Sequence, residues 1–326
     1  MSNIAHILAG DVGGTKVLLR LAAVQNGRCE VVHEQRFDSA DFTDFEVLLA
    51  VFLQDAPMLS AACFGVPGPV HGNVAKLTNL PWFVDGLRIS QRFQIPQVLL
   101  VNDFAAIGHG IGTLASDDLA VLQAGQPLAG AARAVLGAGT GLGVGFVFVC
   151  EQGDMVVPTE GGNVDFAPND ALEIELLVYL QSRFGHVCVE RVVSGPGLAN
   201  IYAFMCERGQ ELATLLNSED APAAVAEAAI NGTDAMAEQA LALFLHCYGA
   251  YAGNLALLSL AHGGVYVAGG IATKLLAQLQ GGEFMRGFLS KGRYRGLLET
   301  IPVYVVKETK VGLLGAQQLA MRIVAA

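Results

Sequence analysis

The stretch Gly10–Val24, GDVGGTKVLLRLAAV, sets an acid, glycines and a threonine between two apolar runs. The preceding IAHILAG and the following VLLRLAAV both have strand composition, so the segment reads as strand, tight turn, strand. The arrangement returns in Ala132–Cys150, ARAVLGAGTGLGVGFVFVC, with Gly139, Thr140, Gly141 and Gly143 at the bend. Neither turn is one of the common phosphate motifs. In GDVGGTK, Thr15 stands where G-x-x-x-x-G-K-[ST] needs its second glycine, and in GAGTGLG, Leu142 stands at the sixth position of G-x-G-x-x-G. In both, strand follows where those motifs need a helix. What remains is a pair of hairpins whose small residues let backbone N–H groups and a threonine hydroxyl approach phosphate oxygens, enough to clasp a triphosphate between them. The nucleotide candidates are Asp11, Gly13, Gly14, Thr15, Lys16, Gly139, Thr140 and Gly141, with Asp11 able to hold Mg²⁺ through water. Lys16 either reaches a phosphate or is a strand-edge lysine.

The totals agree with a packed α/β protein. The chain has 326 residues, 53% hydrophobic and 15% charged, with 39 glycines. That length predicts two domains and a cleft between them. A formal net charge of −11 with no Lys/Arg-rich run argues against nucleic acid as a partner. The cysteines at 29, 63, 150, 188, 206 and 247 form no C-x-x-C pair, and the opening MSNIAH lacks the basic and apolar regions of a signal peptide, so a reduced, cytoplasmic protein is expected. Ala240–Thr273 is the longest stretch to test as a membrane span. His246, Asn254, Ser259 and His262 punctuate it, and Gly263-Gly264 breaks it, which predicts a buried helix followed by a short strand and no membrane contact.

Further strands are expected at CEVVHEQRF, AACFGVPG and QVLLVNDF, the last two buried on both faces, with a helix at DFEVLLAVFLQDA. Thr113–Pro127 reads as irregular, Ala171–Phe184 as a helix, and Ser194 as the N-cap of another helix with proline just inside it. Asn102 and Asp103 follow a buried strand, where α/β sheets present ligand-binding groups. Phosphorylation of an alcohol needs a carboxylate to orient the hydroxyl and take its proton; Asp103 is the candidate, unless it is simply a helix N-cap. Glu160, Asn163 and Asp165 in PTEGGNVDFAPND, with Glu190 in VCVERVVSGPG, offer acceptors for a polyhydroxylated ligand.

The paired glycine turns resemble those of the actin-like ATPase superfamily, which implies a two-domain, ribonuclease H-like α/β fold. There a turn such as Ala268–Thr273, AGGIAT, borders the adenosine, which adds Gly269 and Gly270 to the nucleotide set. Within that superfamily, DVGGT at Asp11, Thr78-Asn79, Asn102-Asp103-Phe104, Gly137–Gly143, Glu160-Gly-Gly, Val164–Pro168, Glu190-Arg-Val, Ser194–Gly197 and Gly312–Gly315 look like bacterial glucokinases, in order and over nearly the whole chain. The resemblance implies ATP-dependent phosphorylation of D-glucose at its 6-hydroxyl, the first step of glucose use in glycolysis. Asp103 is then the base, Asn102, Asp103, Glu160, Asn163 and Glu190 bind the sugar, ATP and Mg²⁺ are required, domain closure excludes water, and a homodimer is expected. It also implies a small domain of residues 1–113 with 308–326 and a large one of 114–307.

Three features depart from the pattern. Lys16 stands where this group often has asparagine. Asn163 stands where these enzymes typically have a histidine that helps bind the sugar, and this keeps a mannose or fructose kinase open. FGVPGPV at Phe64–Val70 is closer to the repressor/open-reading-frame/kinase family, whose cysteine-rich zinc motif does not follow Asn163, so no structural zinc is expected. A non-catalytic sugar-sensing regulator is disfavoured by Asp103 and by the nine residues ahead of Gly10, too few for a DNA-binding segment there.

Overall fold

A computed structural model describes residues 4–77, 80–151 and 153–325. The chain divides into two compact units, Met1–Asp117 with Glu308–Ala326, and Asp118–Lys307.

In the first unit the apolar runs around Gly10–Val24 pair as foreseen. Strands β1 (Ala5–Val12), β2 (Lys16–Gln25) and β3 (Arg28–Asp38) form an antiparallel meander. Next come β4 (Ala61–Val66), three short strands β5 (Val70–His71), β6 (Val74–Lys76) and β7 (Phe83–Asp85) in a sheet of their own, and β8 (Gln97–Asn102). The main sheet has the order β3-β2-β1-β4-β8, with β1, β4 and β8 parallel. Because side chains alternate along a strand, β1 feeds two layers. Leu8 joins Leu19, Phe45, Leu48, Phe64 and Trp82 on one face, while Ile7 and Ala9 join Leu313, Ala316 and Ala320 of the C-terminal helix Val311–Ala325 on the other. That helix also packs against the helix Asp103–Ile111 so closely that a Cβ on Gly315 would stand 1.7 Å from the Ala106 carbonyl oxygen; only glycine fits there. One expectation fails: β4 is buried along its whole length, but β8 is only half-buried, because it is an edge strand with a neighbour on one side.

The second unit repeats the pattern. It contains β9 (Leu119–Gln123), β10 (Arg133–Ala138), β11 (Leu142–Cys150), β12 (Gly153–Thr159), β13 (Gly264–Val267) and β14 (Val303–Val306) in the order β12-β11-β10-β13-β14-β9. Again three strands form an antiparallel meander, the first of them pairs in parallel with β13, and β13 in parallel with β14. Strand β9 occupies part of the segment expected to be irregular; it closes the sheet edge antiparallel to β14. The Ala240–Thr273 run folds as the end of one long helix, Ala235–Ser259, and the strand β13; 78% of the helix's most apolar stretch is buried, so its apolar character belongs to the core. Ala171–Phe184 is helical, and Ser194 caps the helix Gly195–Gly209 by accepting the Gly197 N–H at 2.9 Å. All six cysteines are free thiols.

Candidate active site

The first glycine turn joins β1 to β2. The Gly13 N–H donates to the Lys16 carbonyl at 2.8 Å, and Ser39 holds the turn from β3's end, its N–H on the Thr15 carbonyl at 2.9 Å and its hydroxyl on that of Gly13 at 3.2 Å. The bend thus projects as a fixed hairpin with Thr15 and Lys16 exposed and Gly13 and Gly14 partly so. Asp11, Gly13 and Lys16 border a cavity of about 360 Å³ that Arg36, Lys310 and Glu34 also line. Glu34 is held by Arg20 and Lys310, both at 2.6 Å, and these bonds keep its carboxyl below the usual range against the opposing effect of burial. Asp11 differs. Burial raises its carboxyl to about 6, and among the described residues no hydrogen bond or ion pair reaches it, while Gly312 of the C-terminal helix packs against it. A desolvated carboxylate with no ion-pair partner among the described residues suits a hard, water-carrying divalent ion, so the residues present fit Mg²⁺.

The second turn joins β10 to β11 and is likewise tied at both ends. The Gly139 N–H donates to the Gly141 carbonyl and the Gly195 N–H to that of Gly139, both at 2.8 Å. The third turn lies beside it, for Ala268 N–H donates to the Leu136 carbonyl at 2.8 Å. Between them opens a cavity of about 660 Å³, within the usual range for small-molecule sites, lined by Gly139, Thr140, Pro196, Pro222, Gly270 and Ile271. Asp220, Glu227, Asn231 and Lys274 add polar groups to it. Gly269 is in the turn but not in the lining. Sequence reasoning missed the wall supplied by Asp220–Asn231, whose residues carry only the signature of a capped helix: Asp220 accepts the Ala223 N–H at 3.2 Å.

Asn102 and Asp103 sit where β8 gives way to the helix Asp103–Ile111. The capping falls to Asn102, whose Oδ1 accepts the N–H groups of Phe104 at 2.9 Å and Ala105 at 3.3 Å while Nδ2 donates to the Gly68 carbonyl at 3.1 Å. Asp103 is therefore not the N-cap; it is the first helical residue, one carboxylate oxygen accepting the Phe104 N–H at 2.9 Å. Asn102 caps the helix that Asp103 begins, and one of its two Nδ2 hydrogens is not used by the bond to Gly68. Thr78 and Asn79 lie outside the described residues.

Glu160 and Asn163 are the two ends of a single 3₁₀ turn, the Asn163 N–H donating to the Glu160 carbonyl at 2.9 Å, and both are exposed. Its Gly162 lies against β11: a Cβ there would stand 2.2 Å from the Leu142 carbonyl oxygen, so the position admits only glycine. Glu190 comes alongside because Val189 N–H donates to the Val164 carbonyl at 2.9 Å and Asp165 bridges to Cys188. The Glu190 Oε2 accepts the Leu142 N–H of the second glycine turn at 2.7 Å, and its own carbonyl accepts the Ser194 hydroxyl at 2.7 Å. Asp165, 3.5 Å from His186 on the surface, lines a cavity together with Glu160 and Gly161. The second unit thus carries a carboxylate that touches the glycine turn with one oxygen and borders the Glu160–Asn163 turn, a connection that residues 48 apart in sequence gave no sign of.

Over nearly its whole length the chain is similar to known proteins. The sequence model of the Glucokinase family matches residues 8–323. The glucokinase of Trichormus variabilis is 44% identical over 97% of this chain and 99% of its own, and that of Synechocystis is 44% identical over 95% and 96%. Among solved structures, a glucokinase from an Antarctic psychrotroph superposes with a TM-score of 0.86 at 30% identity, covering 98% of this chain and all of the other. A glucokinase of the repressor/open-reading-frame/kinase family from Streptomyces griseus, solved with glucose and AMPPNP, has the same fold at a TM-score of 0.65 and 20% identity. The repeated sheet is that of the actin-like ATPase fold, and the chain belongs to the glucokinase family.

Proposed function

We propose that this protein transfers the γ-phosphoryl group of ATP to the 6-hydroxyl of D-glucose, giving glucose 6-phosphate and ADP. Membership of the glucokinase family supports the activity, and one observation supports the assignment of residues: the Glu190–Leu142 hydrogen bond, which joins a sugar-reading carboxylate to a phosphate-reading turn. Glu160, Asn163 and Glu190 orient the sugar hydroxyls, with Asn102 holding Asp103 in place. Asp103 takes the proton of the 6-hydroxyl as its oxygen bonds to the γ-phosphorus and the bond to the β,γ-bridging oxygen breaks, the electron pair leaving with ADP. The threonines of the two glycine turns, and those backbone N–H groups not already bonded within the turns as Gly13 and Gly139 are, receive the phosphates, and the cavity beside Gly269-Gly270 receives the nucleoside. Asp11 would hold Mg²⁺ through water, whose charge offsets that of the phosphate oxygens.

The six free thiols and the use of ATP suit the cytoplasm, and glycolysis is the natural consumer of the product. A homodimer is the assembly we propose, which sedimentation would test. The decisive assay is ADP release with Mg-ATP across glucose, mannose, fructose, glucosamine and no sugar. Strong preference for glucose is expected. Turnover with another hexose instead would move the specificity to the Asn163 turn, and sugar binding without turnover would reject catalysis.

A further inference from the structure

The helix Ala235–Ser259 carries two tyrosines three residues apart, hence on one face. Both rings are buried, and packing alone would be served as well by phenylalanine. Their hydroxyls, however, reach backbone groups of two different ligand segments. Tyr248 Oη accepts the Ala138 N–H at 3.0 Å, at the residue that opens the second glycine turn. Tyr251 Oη donates to the Gly161 carbonyl at 2.5 Å, inside the Glu160–Asn163 turn. The same turn is held on its other side by Thr159, whose hydroxyl accepts the Gly161 N–H at 3.1 Å and donates to the Val144 carbonyl at 3.1 Å.

We infer that Tyr251 is a positioning residue for the sugar turn and Tyr248 for the nucleotide turn, so that one rigid helix sets the geometry of both. The inference rests on the proposed assignment of Glu160–Asn163 to the sugar. Neither tyrosine touches substrate in this scheme; each acts through the backbone it holds. Glu160 and Asn163 bear their side chains on either side of the carbonyl that Tyr251 fixes, so its loss loosens both contacts at once. Burial keeps the Tyr251 phenol protonated, at about 12, so it remains a donor across the pH range of the assay. The two tyrosines act on separate loops, which gives the proposal a signature that general loss of packing lacks.

The test is steady-state kinetics of the full-length Tyr251→Phe and Tyr248→Phe proteins, with Glu160→Gln as the reference for the sugar turn. Tyr251→Phe is expected to raise KM for glucose by roughly three- to tenfold, the loss of one hydrogen bond, with KM for ATP unchanged. Tyr248→Phe is expected to do the reverse. If both variants shift only the melting temperature, or move both KM values together, the positioning role is overturned and the hydroxyls are structural. If Glu160→Gln raises KM for glucose while Tyr251→Phe does not, the positioning role fails and the site assignment stands. If neither does, both fail.

Discussion

Asp11 lets an electrostatic argument be carried to a number. Its carboxyl is raised from 3.8 to about 6 by desolvation. A raised carboxyl pKa means that the folded state binds the proton more tightly than the unfolded chain does. The stabilisation is fully present below pH about 4 and is lost as pH rises through about 6. At neutral pH the ionised Asp11 then costs the nucleotide-free fold up to about 3 kcal/mol, taking about 1.36 kcal/mol per unit. Asp11→Asn should accordingly raise the stability of the nucleotide-free protein at pH about 7.5, read by urea unfolding, and most of that gain should vanish by pH about 4.5. The same change should weaken use of Mg-ATP, because the neutral amide no longer attracts the ion. In the wild type, KM for Mg-ATP should climb below pH about 6 as Asp11 takes up its proton, and Asp11→Asn should flatten that limb. An Asp11→Asn protein that is less stable than wild type by an amount independent of pH, or one that keeps the wild-type pH profile for Mg-ATP, would refute the reasoning.

Three other outcomes follow from the site. Asp103→Ala should lower kcat by about 10²- to 10⁴-fold, the usual contribution of a general base, with the fold intact because Asn102 does the capping; full retained activity removes Asp103 from the mechanism. Glu190→Gln should raise KM for both glucose and ATP, by about tenfold together, since a charge-assisted bond to Leu142 N–H becomes a neutral one in a residue proposed to bind the sugar; a change confined to one substrate argues against the shared role. Asn163→His restores a longer side chain at the exposed end of the 3₁₀ turn and should tighten glucose by roughly three- to tenfold and sharpen its preference over mannose, whereas unchanged affinity and selectivity would make Asn163 a neutral substitution.

What could be read from sequence was what a short segment decides for itself. Alternating apolar residues around Gly13-Gly14 and around Gly139–Gly143 are enough to define hairpins, and Ser194 with its proline is enough to start a helix. The errors have a common cause. QVLLVN is as apolar as AACFGV, yet one strand is interior and the other an edge, and only the number of neighbours distinguishes them. Strand β9 lies in a stretch without strand-and-turn punctuation and gains its strand character from pairing with β14, which arrives nearly the whole second unit later. The site divides along the same line. Of the carboxylates proposed for the site, Asp11 and Asp103 stand out locally, one in a glycine turn and one at a strand end, whereas Glu160 and Glu190 are singled out only by the family resemblance. The atoms that aim them are not legible locally: Leu142 N–H is one amide in a β-strand, and Tyr248 and Tyr251 read as core aromatics in an apolar helix until Ala138 and Gly161 are brought to their hydroxyls. Chemistry-bearing residues are therefore visible one at a time, while their geometry is a property of distant pairs. Substitutions at Tyr248 and Tyr251, each of which holds one turn, should change KM for a single substrate while leaving the carboxylates untouched.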